Sequence, residues 1–200
     1  MDTVYFTVAR KCRWEQKIER SLFIGQVSSV TTSEEAQAFV GQIKEEHTQA
    51  THNCFAYRVG CGEHPVTYFN DHGEPSGTAG RPILNAILRT DLTNTVVVVT
   101  RYFGGKKLGI RGLIDAYHST ALQTLEQAGR SRLIPSFALV LNVSYPQLAV
   151  VNHLLQTYEA KILDEKYATS VHLKVSVPQK FHSDLTSALT GLVEVQWDEA

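Results

Sequence analysis

Apolar residues at alternating positions predict most of the strands in the first two-thirds of the chain. The predicted strands are Tyr5–Val8, roughly Ser21–Val30, Asn53–Val59 and Val66–Phe69. A further strand is predicted at Asn94–Thr100, a run that is almost entirely apolar and β-branched. Such a run is typical of a strand that is covered on both faces.

Helical spacing of apolar residues predicts three helices in the same part of the chain. The first follows a cap at Thr32 or Ser33 and has two glutamates in its first turn, where the helix dipole favours acids. The second, Pro82–Arg89, opens with a proline. The third, Leu108–Gly129, ends at a glycine that is suited to cap it.

After a short predicted linker, Arg130–Pro135, the chain reads strand, helix, strand, strand, helix, strand. The predicted segments are Phe137–Val143, Tyr145–Thr157, Lys161–Tyr167, Ser170–Val177, Pro178–Thr190 and Leu192–Trp197. This order of elements is that of the ferredoxin-like fold. We therefore predict an α+β protein with two domains, residues 1–132 and 133–200.

Composition indicates an ordinary globular protein, with 43% hydrophobic and 20% charged residues and a formal net charge of −1. Cys12, Cys54 and Cys61 form an odd, sparse set that fits reduced thiols better than a secreted disulfide framework. The charged segment Met1–Arg20 has no apolar signal core, and the longest apolar run, Val96–Val99, is too short to span a bilayer. We therefore predict a cytoplasmic protein without a membrane partner.

Positive charge is concentrated in one segment. Residues 81–132 carry 8 Lys and Arg against 3 Asp and Glu, whereas residues 1–80 carry 7 against 10 and residues 133–200 carry 4 against 7. Local positive charge attracts anions even when the total charge is near zero. An unevenly charged, solvated surface would give the same count, so charge alone does not decide.

A basic, glycine-rich turn, Arg101–Gly112, lies where the buried strand ends and a helix begins. Helix N-termini present unpaired N–H groups, and glycine lets an anion approach the backbone closely. The candidate phosphate ligands in this turn are Arg101, Tyr102, Gly104, Gly105, Lys106, Lys107, Gly109, Arg111 and Gly112. The spacing is neither that of a Walker P-loop nor that of a Rossmann fingerprint. The alternative is a tight connection with solvated basic residues.

A second candidate is the turn-rich stretch Asp71–Arg81. Asp71 and Glu74 are suited to hold a metal or to act as acid and base, and Ser76 and Thr78 to bind phosphate oxygens or cap a helix. Ser76 does not lie in a G-x-S-x-G turn, which argues against a hydrolase nucleophile. The alternative, which we favour for each residue taken singly, is a rigid loop held by its own side chains.

Histidines and cysteines accompany the predicted strand pair. His52, Cys54, Cys61 and His64 could bind zinc in that order, but the spacing is unusual for a structural site. Cys54 could instead be a nucleophile with a histidine base. The simplest interpretation is a half-buried cysteine beside a hydrogen-bonded histidine, and we predict neither a metal nor a cofactor.

Four stretches resemble the YigZ/IMPACT family across residues 20–120: Arg20–Ile24 (RSLFI), Ala50–Arg58 (ATHNCFAYR), Asp71–Pro82 (DHGEPSGTAGRP) and Val97–Gly105 (VVVTRYFGG). The resemblance implies an N-terminal domain with the fold of the second domain of ribosomal protein S5. It also implies a C-terminal domain like a late domain of elongation factor G. Eukaryotic members of the family regulate translation initiation by interfering, through a partner protein, with activation of an initiation-factor kinase.

The resemblance implies no catalytic residues, but it points to a set of matched positions. These are His52, Asn53, Arg58, Asp71, Glu74, Ser76, Thr78, Arg81, Arg101, Tyr102, Gly104, Gly105, Lys107, Leu108, Gly109 and Gly112. The chain departs from the family at Arg111 and Asp115, where the family usually has glycine and arginine. This exchange moves positive charge towards the turn and puts an acid in the helix.

These observations predict a non-enzymatic binding protein that acts on RNA or the ribosome, with a role in translation or its regulation. The cations of the turn would bind phosphates, Arg58 and Arg81 would widen the basic surface, and the binding would weaken with salt. Tyr57 and Tyr102 could stack on bases, although strand tyrosines more often belong to the core or its rim. Two alternatives stay open: an enzyme acting on a small phosphorylated substrate, and a protein-interaction module with a partner in translation control.

Overall fold

The chain folds as two units, Met1–Leu133 and Ile134–Ala200. The computed structural model describes residues 4–197, so residues 1–3 of the first predicted domain and residues 198–200 of the second lie outside the described residues. The first unit contains β1 (Tyr5–Val8), β2 (Cys12–Ile18), β3 (Ser21–Ser29), α1 (Ser33–Glu46), β4 (His52–Val59), β5 (Val66–Asn70), α2 (Gly80–Arg89), β6 (Thr95–Tyr102), α3 (Gly109–Ala128) and β7 (Arg130–Leu133). The second contains β8 (Ser136–Val143), α4 (Leu148–Thr157), β9 (Lys161–Tyr167), β10 (Val171–Pro178), α5 (His182–Leu189) and β11 (Glu194–Trp197).

The main sheet of the first unit is antiparallel and has the strand order β2-β3-β6-β4-β5. β6 is its central strand, and its β-branched residues are buried. Val97 and Val99 pack with residues of α2 and α3, whereas Val96 and Val98 pack with residues of α1. The burial on both faces that the Asn94–Thr100 run predicts is confirmed.

Two strands of this unit do not follow from the sequence pattern. β2 alternates half-buried and exposed residues, and its outer positions are charged, which hides the strand among polar residues. β7 occupies most of the predicted linker Arg130–Pro135: Arg130 pairs with Val8, and Leu133 pairs with Tyr5 in β1. The linker prediction is wrong for these four residues because their pairing partner lies far away in the sequence.

The second unit is built on an antiparallel sheet with the strand order β11-β8-β10-β9. The elements follow one another as the sequence predicts, with a short 3₁₀ turn before each helix. The inner face of the sheet and the two helices form one apolar core, in which Leu141, Leu173, Val151 and Leu185 are almost completely buried. Within residues 4–197, no helix has the length and apolar composition needed to cross a membrane.

Candidate phosphate-binding cleft

Asp71 holds the glycine-rich loop between β5 and α2. Its two carboxylate oxygens accept hydrogen bonds from the backbone N–H groups of Gly77 (2.8 Å), Ala79 (3.0 Å) and Gly80 (2.8 Å). The first N–H groups of a helix have no partner within the helix, and a carboxylate is favoured there by the helix dipole. Asp71 therefore caps α2, and this use of both oxygens argues against a metal-binding or acid–base role for it.

The other polar residues of this loop also bond within the protein. The Thr78 hydroxyl donates to the carbonyl of Pro75 (2.6 Å), while Ser76 is exposed. The buried Asn53 donates its backbone N–H to His72 Nδ1 (3.1 Å) and accepts the Thr100 hydroxyl at its side chain (2.7 Å). These contacts fit the interpretation of a rigid loop held by its own side chains, with Asn53 fixing it to the sheet.

Glu74 lies at the centre of a buried polar cluster. Its Oε1 accepts hydrogen bonds from Arg101 Nη1 (2.6 Å) and from the Tyr117 hydroxyl (2.9 Å), and His52 Nε2 lies 3.7 Å away. These four side chains come from the loop, β6, α3 and β4. β4 and β6 are paired so that His52 is directly opposite Arg101, which brings both side chains to the α3 side of the sheet.

Arg101 does not act as a surface cation. It is only 4% exposed, and its guanidinium lies between the rings of Phe23 (5.4 Å) and Phe103 (5.3 Å). Its Nη2 donates to the Ser21 hydroxyl (3.3 Å), and its charge is compensated by Glu74. This burial disfavours the predicted contact between Arg101 and phosphate, because β6 is the central strand and its side chains point into packed layers.

The thiol chemistry weighed from the sequence is disfavoured. Burial raises the pKa of the Cys54 thiol to about 12, and the thiol donates to the carbonyl of Asp71 (2.9 Å). A nucleophile or a zinc ligand needs the thiolate, which this environment disfavours. Burial also raises the pKa of Cys61. Among residues 4–197, no group of three or more His, Cys, Asp or Glu side chains is arranged to hold a metal ion.

Two amides at the start of the Arg101–Gly112 turn are used internally. The N–H of Phe103 donates to the Thr51 hydroxyl (3.0 Å), and that of Gly104 donates to the Ser21 hydroxyl (3.3 Å). A Cβ at Gly104 would lie 1.9 Å from the carbonyl oxygen of Arg20, so only glycine allows this close approach. Phe103 and Gly104 therefore fix the turn to the sheet and have no donor left for a ligand.

The other predicted cations are spread over several surfaces. Lys106 pairs with the Glu19 carboxylate, and Arg111, whose side chain is 92% exposed, lies 3.7 Å from Asp115.

Arg58 donates to the carbonyl of Leu92 (3.3 Å), lies 3.8 Å from Asp91 and lines a different cavity. Arg81 is exposed on α2, and Tyr102 bonds through its hydroxyl to His47 Nδ1 (2.9 Å). The structure therefore places Arg58 at a different cavity from the turn, and the side chain of Tyr102 bonds to His47 and is not part of the lining of the cleft described next.

The two glycine-rich stretches meet at a cleft of about 430 Å³, which we call the α3 cleft. Its lining residues are Thr51, His52, Glu74, Pro75, Arg101, Phe103, Lys107, Leu108, Gly109, Ile110 and Leu113. α3 begins at Gly109 without a side-chain cap and without an acidic residue in its first turn. Helix N–H groups that lack a cap are available to an anion, and Lys107 adds a formal charge beside them.

Sequence reasoning finds part of the α3 cleft and misses part of it. It predicts His52, Glu74, Lys107 and Gly109, which line the cleft. It does not predict the apolar lining residues Phe103 and Ile110 as part of a site, and it does not predict the role of Tyr117. A buried tyrosine hydroxyl needs a hydrogen-bond partner, and this requirement was the available signal for the link from Tyr117 to Glu74.

Sequence comparison relates the chain to known proteins. The sequence model of the Impact N-terminal domain matches residues 19–125, and that of a domain of unknown function (DUF1949) matches residues 141–192. The chain belongs to the IMPACT family. It is 37% identical over 194 residues to "IMPACT family member YvyE" of Bacillus subtilis, a match that covers 97% of this chain and 89% of the relative.

Other IMPACT family members are similar over most of their length. "IMPACT family member YigZ" of Escherichia coli is 35% identical over 164 residues, or 82% of this chain and 80% of the relative. A solved structure described as "Crystal structure of an hypothetical protein" has a TM-score of 0.73 at 30% identity and covers 100% of this chain and 99% of its own. The family resemblance carried by the four sequence stretches is therefore confirmed.

Proposed function

We propose that this protein binds RNA or the ribosome in the cytoplasm, with a role in translation or its regulation, and that the α3 cleft binds a phosphate of the RNA. One observation carries the proposal: the uncapped N-terminus of α3 and Lys107 line a single cleft. Membership of the IMPACT family supports the link to translation. A protein partner in translation control stays a prediction.

Positive charge at the rim of the α3 cleft, by which we mean Lys107 and the N-terminus of α3, favours an anion. A helix N-terminus carries roughly half a positive charge, and the first turn of α3 contains no acid that would offset it. Lys107 is exposed, whereas the buried Arg101 is neutralised by Glu74. A phosphate is therefore expected at Lys107 and Gly109, and the role of Arg101 is to hold Glu74 in place.

An apolar wall beside the rim suits the base of a nucleotide. Phe103 is 45% exposed and Ile110 is 67% exposed, and both line the α3 cleft. Bases stack on exposed rings without strong sequence preference. Lys106 and Arg111 extend the basic surface, because exposed ion pairs like theirs contribute only about 0–1 kcal/mol and exchange readily for phosphate.

The test is binding of a fluorescent single-stranded RNA, measured by anisotropy at several salt concentrations. Removing one phosphate contact by Lys107→Ala should weaken binding of all sequences and lower the slope of log K against log salt by about 0.7. Lys161→Ala, a change at an exposed lysine of the second unit, is the matched control. Unchanged affinity and slope in Lys107→Ala would reject the phosphate site.

We also propose the finer fold assignments that the family implies. The first unit is similar to the second domain of ribosomal protein S5, and the second is ferredoxin-like. The element order and the strand order β11-β8-β10-β9 support the ferredoxin-like assignment. We place the domain boundary directly after Leu133, where the first unit ends.

A second candidate function is catalysis on a small phosphorylated substrate. The observation that favours it is the presence of Glu74 and His52 in the α3 cleft, beside the α3 N-terminus, since such a pair can act as acid and base. A thermal-shift screen of nucleotides and sugar phosphates, with and without Mg²⁺, separates the two functions. Stabilisation by a small ligand would favour the enzyme, because a ligand that binds only the folded state raises the unfolding temperature.

A further inference from the structure

Glu74 is bonded through only one of its two carboxylate oxygens. The hydrogen bonds that it makes with Arg101 and Tyr117 both end on Oε1. Across residues 4–197, no described hydrogen bond ends on Oε2, and Glu74 is part of the lining of the α3 cleft. A carboxylate oxygen only accepts hydrogen bonds when it is ionised. Glu74, which together with His52 we call the floor of the cleft, therefore offers an acceptor oxygen that has no described donor.

His52 offers a second acceptor at the same place. Its Nδ1 is 2.8 Å from the carbonyl oxygen of His72. A carbonyl oxygen can only accept, so Nδ1 carries the hydrogen, and in the neutral ring Nε2 is left with its lone pair. Nε2 is 3.7 Å from Glu74 Oε1, which is too far for a hydrogen bond. His52 Nε2 and Glu74 Oε2 are therefore two acceptors, on two residues that line the same cleft, for which no donor is described within residues 4–197.

The charge of this floor selects the group that can enter. Arg101 compensates the Glu74 carboxylate at 2.6 Å, so the floor is close to neutral, whereas the rim at Lys107 and the α3 N-terminus is positive. A phosphate is repelled by an acceptor-rich floor and attracted to the rim. A neutral group with an O–H donor fits the floor, and in RNA the group of that kind nearest to the phosphate is the ribose 2′-hydroxyl.

We infer that the α3 cleft recognises the ribose 2′-hydroxyl of an RNA strand, which donates its one hydrogen to His52 Nε2 beside Glu74, and so distinguishes RNA from DNA. This inference rests on the proposed RNA-binding function. The phosphate at the rim supplies affinity that RNA and DNA share. The hydroxyl at the floor supplies the preference, because its hydrogen gives His52 Nε2 a donor that deoxyribose lacks.

The experiment compares three single strands of identical sequence, with ribose, deoxyribose and 2′-O-methyl ribose, for binding to the full chain by anisotropy. The 2′-O-methyl group keeps the oxygen but removes the donated hydrogen. We expect RNA to bind roughly threefold to tenfold more tightly than either of the other two strands, the effect of one hydrogen bond between neutral groups. Because this arm uses the unaltered protein, no folding defect can confuse it.

Two variants separate the floor from the rim. His52→Ala should bring RNA affinity down to that of DNA, while Lys107→Ala should weaken both and keep their ratio. His64→Ala, a change at an exposed histidine in the β4–β5 connection, is the matched control and should alter neither. If RNA, DNA and 2′-O-methyl RNA bind equally while Lys107→Ala weakens all three, this inference is overturned and the phosphate site stands. If none of the strands binds, the proposed function itself fails.

Discussion

Replacing Arg101 by methionine removes a buried charge and leaves its partner in place. Arg101 and Glu74 have side chains that are 5% and 4% exposed, and their atoms approach to 2.6 Å. Removing one partner of such a pair costs about 3–5 kcal/mol, because the other charge stays buried without compensation. A domain of this kind has a total stability of about 5–15 kcal/mol. Arg101→Met should therefore remove a large part of the stability of the first unit.

Urea unfolding measures this loss. The chain has two tryptophans, Trp14 in β2 and Trp197 in β11, so a Trp197→Phe background makes tryptophan fluorescence report on the first unit. With a slope of about 2 kcal/mol per M of urea, the expected midpoint shift is about 1.5–2.5 M. Arg111→Met is the matched control: its exposed pair with Asp115 should contribute less than about 1 kcal/mol.

A double variant tests the reasoning directly. Glu74→Gln in the Arg101→Met background removes the uncompensated charge, so part of the lost stability should return. A loss below about 1 kcal/mol in Arg101→Met, or a double variant less stable than the single one, would show that the buried charge is not what Arg101 compensates.

Two further changes have defined outcomes. Gly104→Ala places a Cβ 1.9 Å from a backbone carbonyl oxygen and should lower the free energy of unfolding in urea by at least about 1–3 kcal/mol. In the control Gly41→Ala, inside α1, no atom lies within 4 Å of the new Cβ, so the change should be neutral or stabilise by up to about 1 kcal/mol. Equal effects of the two changes would contradict the close approach at Gly104. Since burial raises the pKa of Cys54 from its ordinary value of 9.0 to about 12, its stabilising contribution should be complete below pH 9 and lost as the pH rises towards 12. Native Cys54 should therefore resist alkylation at pH 8 when followed by mass spectrometry, and rapid labelling would show an accessible thiolate.

The strands that depend on local pattern are predictable from the sequence, whereas those that depend on distant partners are not. β6 is recognisable because four consecutive valines fit only a buried strand. β7 is polar and short, and its strand conformation comes from pairing with β1, which no local pattern encodes. The charged outer positions of β2 likewise conceal a strand whose inner side packs on the protein.

The candidate site follows the same division. The spacing of glycines and the helix start predict the rim of the α3 cleft, because an uncapped helix end is a local property. The role of Arg101 is not local: its environment is set by Glu74, 27 positions earlier in the chain, and by Tyr117 in α3. The sequence alone does not show that the charge of a side chain on a central strand is compensated by a buried partner from another element.

The pairing of β1 with β7 places the two ends of the first unit side by side, since Tyr5 is directly opposite Leu133. Because its chain ends lie this close, the domain can be inserted into another protein, circularly permuted or fused at one point of its surface. A circularly permuted version that links the two ends and opens the exposed connection between β4 and β5 should keep the same sheet. An excised version should end at Leu133, since stopping at Gly129 would remove the partner strand of β1.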